Sequence, residues 1–277
     1  MDVSPQRAAF RRLHESGCFV IPNPWDIGTA IMLKQLGFKA LATTSAGFSF
    51  SRGLPDADWA VPRDMALQHI AEIVRATDLP VNADFESGYA RDPEGVAESC
   101  RLCAATGVAG LSIEDHGDGP EEVIYPLDLA VDRIRAAAEA LKGTGVLLTA
   151  RCEAHLFALP GAQATVLQRL VAYAEAGADV LYAPGLRTPE QIREVVSAVA
   201  PKPVNLIISA PIGLSVADAA ALGVRRISLG SALARAAWGG FLKAARELAG
   251  DGTFHALAEA EPFGALNSFF RTHHPQT

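Results

Sequence analysis

The 277-residue sequence has few charges of either sign, and this excludes several classes of protein. Only 20% of the residues are charged and the formal net charge is −7, so the chain lacks the basic surplus that binds nucleic acid or an anionic membrane. No apolar run approaches the ~20 residues needed to span a bilayer, and no basic segment followed by an apolar one opens the chain. We therefore expect a soluble cytoplasmic protein that binds neither nucleic acid nor membranes.

Cysteine is scarce as well. The four cysteines are Cys18, Cys100, Cys103 and Cys152. Cys100 and Cys103 form a C-x-x-C, but no second pair of cysteines or histidines stands at zinc-ribbon spacing. Because the pair falls within a helical pattern of small apolar residues, we predict a buried helix face rather than a zinc site.

Hydrophobic residues make up 49% of the chain, and they recur in eight short apolar segments that alternate with helical patterns. This alternation predicts a (β/α)8 TIM barrel in a single domain, with the barrel at about 18–250 and a C-terminal helical extension at 251–277. An open doubly wound sheet is the alternative, although no G-x-G-x-x-G follows the first strand. The predicted strands are 18–21, 39–43, 80–84, 109–114, 146–150, 179–183, 203–208 and 225–229.

Two polar stretches interrupt this alternation. Residues 49–61, which include Asp56 and Asp58, are predicted to form a loop at the rim of the barrel. Residues 116–125, with the sequence HGDGPEEVIY, contain two glycines and a proline, and we predict a mobile flap there.

Several predicted strands end in charged residues. The third ends at Asp84 and is followed by Glu86, the fourth runs into Glu114 and Asp115, and the fifth runs into Arg151. In a barrel the carboxyl ends of all strands face one mouth, where active sites are built. Carboxylate oxygens are the ligands that Mg²⁺ prefers, and Mn²⁺ shares this preference, so the pattern favours a metal beside an anionic substrate. Taken singly, each acid suits a helix cap or an ion pair with arginine equally well.

The other polar strand ends allow more than one interpretation. Arg151 can grip a carboxylate or phosphonate bidentately, or form a buried ion pair with Glu153 or Glu114. The turn at 45–47 can offer N–H groups to an oxyanion, and Gly230-Ser231 can bind phosphate or simply cap a helix. His116 and His155 can act as acid or base groups, although the expectation is a surface or supporting position, and His273 and His274, in a polar tail, are expected to have no catalytic role.

Together and in this order, the rim motifs resemble those of the isocitrate lyase/phosphoenolpyruvate mutase superfamily, over about residues 19–238. The motifs that carry the resemblance are Thr44-Ser-Ala-Gly47, Gly53-Leu-Pro-Asp56, Asn82-Ala-Asp84, Ile113-Glu-Asp115 and Ala150-Arg-Cys-Glu-Ala154. The resemblance implies a Mg²⁺-dependent barrel that acts on 2-oxo acids through an enolpyruvate-like intermediate.

The resemblance also implies roles for individual residues. Asp84 is expected to bind the metal directly, with Glu114 and Asp56 acting through metal-bound waters. Asp56, Glu114 and Arg151 form the expected catalytic set, in which Arg151 contacts the departing group.

Substrate contacts are implied in the same way. Ser45 and the backbone of Ala46 and Gly47 are expected to cradle the carboxylate of the 2-oxo acid. Asn205 occupies the position of a substrate-contacting asparagine of the lyases, and Trp25, after the first strand, completes the expected set.

The chain departs from the superfamily pattern in three places. The usual D-A-D-x-G-Y-G is here NADFESGY at 82–89, so Asn82 replaces an acid and two residues are inserted; either Glu86 restores the lost charge or the site operates with one carboxylate fewer. The lyase flap K-K/R-C-G-H is absent from 116–125, which disfavours an isocitrate or methylisocitrate lyase. The same segment carries Asp118, Glu121 and Glu122 where mutases have lysine and asparagine, and these acids are expected to repel a phosphonate.

These features favour a Mg²⁺-dependent lyase that cleaves a bond to C3 of a small 2-oxo acid, of the oxaloacetate, pyruvate or 2-oxoglutarate class, in the manner of an oxaloacetate decarboxylase. Two alternatives stay open: a phosphonate enzyme of the phosphoenolpyruvate mutase or phosphonopyruvate hydrolase kind, and a non-catalytic barrel that binds 2-oxo acids. The resemblance also implies a homo-oligomer, dimeric or tetrameric, with C-terminal helices exchanged between subunits. Apolar residues suited to that contact, or to docking on their own barrel, are Phe254, Leu257, Phe263, Leu266, Phe269 and Phe270.

Overall fold

The structure, a computed structural model, describes residues 4–57, 59–119 and 122–273, without the side chains of 118, 119 and 122. Asp58, Glu121 and His274 lie outside the described residues, as do the side chains of Asp118 and Glu122. The acidity of the flap at 116–125 therefore stays a prediction from the sequence.

Eight of the strands in this part of the chain form one parallel sheet. Numbered along the chain as given at the end of this paragraph, the neighbouring strands around the sheet are the first, tenth, ninth, eighth, seventh, fourth, third and second; the fifth and sixth strands form a separate hairpin. Between the two end strands, the Ala42 N–H donates to the carbonyl oxygen of Pro22 at 3.0 Å, and the sheet closes on itself. The predicted (β/α)8 barrel is confirmed. The strands are β1 (Phe19–Ile21), β2 (Leu41–Ala42), β3 (Val81–Asp84), β4 (Gly110–Glu114), β5 (His116–Gly119), β6 (Glu122–Ile124), β7 (Leu147–Arg151), β8 (Val180–Tyr182), β9 (Val204–Ile207) and β10 (Arg226–Ser228).

Helices surround the barrel and cover its outer face. They are α1 (Pro5–Leu13), α2 (Ile27–Gln35), α3 (Ser45–Ser51), α4 (Arg63–Arg75), α5 (Pro93–Ala105), α6 (Leu127–Leu141), α7 (Ala162–Glu175), α8 (Pro189–Val199), α9 (Val216–Ala221), α10 (Ala232–Gly250) and α11 (Phe263–His273), with a 3₁₀ turn at His255–Glu259. No helix among the described residues is long and apolar enough to span a bilayer.

Local sequence signals explain where these helices begin. Asp26 accepts from the Thr29 N–H at 2.7 Å, and Asp92 accepts from the Gly95 N–H at 2.8 Å with Pro93 in the first turn. Each carboxylate satisfies a backbone donor that has no partner within its helix. Asp26 and Asp92 thus stabilise the beginnings of α2 and α5.

The amino end of the barrel is closed by α1. Phe10 is fully buried and packs with Ile21, Ala42 and Leu147 inside the ring of strands. Arg7 fastens the same helix, because its guanidinium donates to the carbonyl oxygens of Ala104, Val108 and Thr144 at 2.7, 3.0 and 2.9 Å. The barrel interior is therefore a packed core beneath a single mouth.

Two connecting segments contain regular structure that was not predicted from the sequence. Residues 45–51 form α3, so the loop predicted at 49–61 begins only after Ser51; the Thr44 side chain caps this helix by accepting from the Gly47 N–H at 3.2 Å. The predicted flap begins and ends as an antiparallel hairpin of β5 and β6, in which His116 pairs with Ile124. Threonine before a run of small residues is a capping signal that we overlooked.

Cys100 and Cys103 lie on the inner face of α5 and are fully buried. All four cysteines are free. No group of three or more cysteine, histidine or acidic side chains among the described residues is arranged to chelate a metal. The interpretation of the C-x-x-C as part of a buried helix face is confirmed.

Two buried histidines lead to a prediction about acid stability. Burial lowers the pKa of His14 to about 3 and that of His69 to about 4, so the folded protein keeps both neutral down to those values. The unfolded chain takes up both protons below about pH 6.5, and stability is therefore lost as the pH falls through the range between the two states' pKa values. Between pH 7 and pH 5 we expect each histidine to lower the free energy of unfolding by about 2 kcal/mol.

A His69→Phe variant tests this effect. The ring of His69 stacks on Phe48 with centroids 3.8 Å apart, and its Nε2 has no hydrogen-bond partner among the described residues, so phenylalanine suits the site. In urea unfolding at both pH values, the variant should lose about 2 kcal/mol less than wild type. Equal losses in the two proteins would contradict the prediction.

Candidate active site

A cavity of about 420 Å³ lies at the carboxyl ends of the barrel strands. Its size is within the range of sites that bind small ligands. The residues with predicted roles that line it are Ser45, Ala46, Asp56, Asp84, Glu114, Arg151 and Asn205. Seven positions spread over 161 residues of sequence thus meet in one place.

Asp84 stands where β3 ends, and neighbouring groups hold it. Its backbone N–H donates to the Thr43 side-chain oxygen at 2.9 Å. Its Oδ2 accepts from both the backbone N–H and the hydroxyl of Ser45, at 3.0 and 3.1 Å. Ser45 begins α3, so the first turn of this helix presents its donors to the Asp84 carboxylate.

Arg151 is the cation at the centre of the acidic mouth. Its guanidinium pairs with Glu153 through two nitrogens and lies 3.0 Å from Glu114 Oε2 and 3.6 Å from Asp84 Oδ1. The ring of Tyr182 lies 5.3 Å from the guanidinium carbon. Of the two interpretations of Arg151, the ion pair is what the structure contains, and it involves both Glu153 and Glu114.

The acids outnumber the cation, and their pKa values reflect this. Burial raises the pKa of Glu114 well above its usual value, and nearby Glu153 and Asp84 add to the rise against the opposing effect of Arg151. Burial and Asp84 likewise raise the pKa of Asp56. Burial alone would lower the pKa of Arg151, but Glu114 and Glu153 outweigh it and raise that pKa. The excess of acids in the cavity therefore favours the binding of a further cation.

Glu86 belongs to the two-residue insertion and also lines the cavity. Its backbone has φ of +48°, a left-handed conformation that is uncommon for any residue but glycine. Its carboxylate accepts from the Tyr89 hydroxyl at 2.8 Å, while burial raises its pKa to about 7. The insertion thus adds a carboxyl to the site on the side of Asp84 and Asp56.

The donor set fits a Mg²⁺ ion of the kind that keeps several of its waters. Among the described residues, four carboxyl side chains line the cavity, from Asp56, Asp84, Glu86 and Glu114. Mg²⁺ is usually bound through one or two carboxylates plus water and substrate oxygens, and not by an all-protein cage. The fit therefore does not require the close three-ligand group that the described residues lack.

Asp115 faces away from the cavity, although it adjoins Glu114 in sequence. It is buried, and its carboxylate accepts from the Glu153 N–H at 2.8 Å, from Arg169 at 2.9 Å and from the Tyr173 hydroxyl at 2.6 Å. Its carbonyl oxygen accepts from the Tyr125 N–H at 2.8 Å, at the base of the hairpin. Asp115 holds Glu153 and the hairpin in place.

Asn205 lies at the floor of the cavity with both ends of its amide occupied. Its Oδ1 accepts from Arg226 at 2.7 Å, and its Nδ2 donates to the Ser228 hydroxyl at 2.9 Å. The predicted contact between Asn205 and a substrate stays a prediction.

Two predicted site residues do not line this cavity. The Gly47 N–H is occupied by the Thr44 cap, and a β-carbon at Gly47 would lie 2.6 Å from the Thr44 methyl carbon, so this position requires glycine. Trp25 lines a separate hollow with Ser51 and α10 residues, among them Trp238. Their predicted roles remain predictions without a contact to support them here.

Several cavity residues were not predicted from the sequence. They are Arg226, Tyr182, Trp59, Ser87 and Ser112. The inward position of Arg226 could have been predicted from the sequence. Side chains alternate between the two faces of a strand, so one of the two arginines at 225–226 must point into the barrel. The others carry no signal apart from their position near strand ends.

Comparison with known proteins agrees with this geometry. The family model described as phosphoenolpyruvate phosphomutase matches residues 10–249. A crystal structure from Burkholderia cenocepacia J2315, provisionally described as a lyase/mutase, is 48% identical, with a TM-score of 0.90 over 96% of this chain and 95% of that one.

Two further relatives have described activities. The 2-methylisocitrate lyase of Salmonella typhimurium is 31% identical over 69% of this chain, a match that spans 64% of the lyase. Oxaloacetate acetylhydrolase, solved with its product oxalate, is 27% identical with a TM-score of 0.82, over 95% of this chain and 93% of that one. These relatives are lyases, mutases or hydrolases of small organic acids. With its barrel, its acidic mouth and a family match over most of its length, the chain belongs to the phosphoenolpyruvate mutase/isocitrate lyase superfamily.

Proposed function

We propose that the protein is a Mg²⁺-dependent lyase that breaks a bond to C3 of a small 2-oxo acid, with oxaloacetate decarboxylation as the leading reaction. The observation that carries the proposal is the position of Arg151 in the cavity, paired with Glu114 and Glu153 and 3.6 Å from Asp84. A cation beside a cluster of acids can accept a departing carboxylate while the acids hold a metal.

The proposed chemistry is simple. In oxaloacetate the bond between C3 and C4 breaks, its electron pair moves towards the 2-oxo oxygen, and carbon dioxide departs. A bound Mg²⁺ supplies a Lewis acid for the negative charge that develops on that oxygen. Solvent then protonates C3 and yields pyruvate, so no flap acid is required.

Each residue has a separate task in this scheme. Asp84 would hold the metal directly, Glu114 and Asp56 would act through its waters, and Glu86 lies on the same side of the cavity. The donors of Ser45 turn from Asp84 to the substrate carboxylate, and the N–H groups at the start of α3 favour negative charge there. Arg151 orients the departing carboxylate through its planar guanidinium.

An Asp84→Ala variant tests the scheme. With oxaloacetate and Mg²⁺, we expect purified wild-type protein to release pyruvate well above the background of free metal. The variant should lose about 10²- to 10³-fold in kcat/KM, because one carboxylate of the metal site and the anchor of Ser45 are gone. Asp128→Ala, which removes an exposed acid in α6, is the matched control and should retain full activity.

The same assay distinguishes the alternatives. Excess chelator should abolish turnover if the metal assignment is right. Wild type that is inactive on oxaloacetate but active on phosphonopyruvate would favour a phosphonate enzyme, as the description of the matching family suggests. Binding of 2-oxo acids without turnover of either compound would favour a non-catalytic barrel.

We also propose that the protein is a cytoplasmic homo-oligomer that assembles through its C-terminal helices. The exposed apolar residues of this region include Trp238, Phe241, Phe254, Leu257 and Phe263, and the last is 84% exposed. Phe270 packs back on its own barrel, where its ring would lie 3.4 Å from a β-carbon at Gly28. Apolar exposure on this scale is typical of a surface that a second copy covers.

A further inference from the structure

The cavity has a second cation, Arg226, at its floor. Arg226 begins β10, is only 3% exposed and lines the cavity. Its partners are three neutral side chains: Asn205 Oδ1 at 2.7 Å, Thr149 Oγ1 at 3.1 Å and, at the limit of hydrogen bonding, Asn82 Oδ1 at 3.5 Å. A guanidinium has five N–H donors, so donors remain to be satisfied within a cavity large enough for a ligand.

No carboxylate of the described residues forms an ion pair with this guanidinium. The acids of the mouth pair with Arg151, and Asp115 pairs with Arg169. Burial lowers the pKa of Arg226 to about 10, against the opposing effect of Tyr182. A charge buried without a counter-ion costs free energy, and a bound anion would offset that cost.

The amide of Asn82 explains why the counter-ion is missing. Asn82 is 4% exposed, donates to the Ala83 carbonyl oxygen at 3.1 Å and turns its own oxygen towards Arg226. A carboxylate at this position would neutralise the guanidinium from within the protein. With an amide there, the floor keeps its positive charge beneath an acidic mouth.

We propose that Arg226 is an anion-binding subsite that takes the second carboxylate of a dicarboxylic 2-oxo acid from the floor of the cavity, while Arg151 contacts the same carboxylate from the mouth. The proposal rests on the proposed function, since it assigns the substrate class of the same cavity. A planar carboxylate matches the two-pronged donor pattern of a guanidinium. Asn205 and Thr149 hold Arg226 in position, and Arg226 itself selects the ligand.

This subsite discriminates between dicarboxylates and monocarboxylates according to whether the Arg226 guanidinium gains a counter-ion. A dicarboxylate pairs with Arg226, whereas a monocarboxylate leaves the buried charge without a partner. Sites built to pair a polar group reject an analogue that lacks the group by large factors. We expect a preference of at least about tenfold for the dianion.

The test is equilibrium binding, measured by calorimetry in buffer with Mg²⁺. The first probe pair is 3,3-difluorooxaloacetate and pyruvate, which differ in the second carboxylate and in two fluorines, so a preference counts only if the fluorine-free second pair shows it as well. The second pair, malonate and acetate, lacks the 2-oxo group. The variants are Arg226→Met, Arg226→Lys and the matched control Arg225→Met. Arg225 is the neighbouring arginine, which faces outward and donates to the carbonyl oxygen of Gly17 at 3.1 Å.

We expect wild type and Arg225→Met to bind the dianion of each pair at least about tenfold more tightly than the monoanion. Arg226→Met should lose that preference, and its affinity for pyruvate should change by less than about threefold. Arg226→Lys keeps the charge and should keep part of the preference. The methionine and lysine variants should both match wild type in circular dichroism. Equal preference in wild type and Arg226→Met, or no preference in wild type, would overturn the proposal.

The two proposals fail in different ways. If difluorooxaloacetate does not bind but malonate binds with a preference that depends on Arg226, the anion subsite stands and the 2-oxo acid function fails. If oxaloacetate is decarboxylated while Arg226→Met leaves all four affinities unchanged, the function stands and the subsite fails.

Discussion

Replacing Arg151 with methionine is expected to reduce turnover of the substrate by about 10⁴-fold and to destabilise the fold at the same time. The activity falls because the departing carboxylate loses its cation. The stability falls because Glu114 and Glu153 are left as unpaired acids in a buried site, at a cost of about 3–5 kcal/mol.

The pH dependence of this destabilisation identifies its cause. Without Arg151, the pKa values of Glu114 and Glu153 rise further, so the folded protein binds more protons than the unfolded chain above about pH 4.5. Stability of the variant relative to wild type should therefore decline as the pH rises from 5 to 8. Urea unfolding at several pH values measures this decline.

Two further variants separate the roles of Arg151. The double variant Arg151→Met, Glu153→Gln removes one of the two acids that the single variant leaves unpaired, and it should regain part of the stability but none of the activity. Arg151→Lys keeps the charge without the two-pronged contact to Glu153, and it should stay nearly as stable as wild type while losing at least about 10² in kcat. An active methionine variant would refute the role assigned to the guanidinium.

The second large effect is expected at Asp115, outside the cavity. Asp115→Ala leaves the Arg169 guanidinium, the Tyr173 hydroxyl and the Glu153 N–H without their buried acceptor. We expect a loss of about 3–5 kcal/mol in the free energy of unfolding, because one partner of a buried ion pair is removed.

A double variant tests whether charge or packing is responsible. Asp115→Leu with Arg169→Met replaces both charges with apolar side chains of similar size and should regain much of the lost stability. Tyr173→Phe removes a single hydrogen bond to the carboxylate and should cost about 2 kcal/mol. If all three proteins were equally destabilised in urea unfolding, packing would explain the effect better than the ion pair.

The barrel was predictable from the sequence because its signals are local. Apolar segments of strand length, each followed by a helical pattern, mark all eight barrel strands within about one or two residues at each end. The α3 helix was missed for a physical reason. Its composition, SAGFSFS, favours helix weakly, and one side-chain cap at Thr44 stabilises it in the folded protein.

The position of the site was predictable, and so was an ion pair of Arg151 with Glu153 or Glu114, but the orientation of the individual acids was not. Strand ends in a barrel must converge, so Asp84, Glu114 and Arg151 could be placed at one mouth. Whether an acid faces the cavity or the outer layer depends on the turn after the strand, and the sequence gives no measure of that. Glu114 and Asp115 are neighbours that point into different environments, and only the folded structure distinguishes them.

The helix α1 has a consequence for anyone who shortens this chain. A cut at residue 17 would appear harmless, since every barrel strand would remain. Such a cut would remove Phe10 from beneath the strands and His14 from the neighbourhood of Arg226, and would leave three carbonyl groups without the Arg7 side chain. Bulk water would then reach the underside of the ligand cavity, and the electrostatic isolation of its floor would be lost. The amino-terminal helix therefore seals the lower end of the barrel against water, and the smallest functional unit of this protein has to include it.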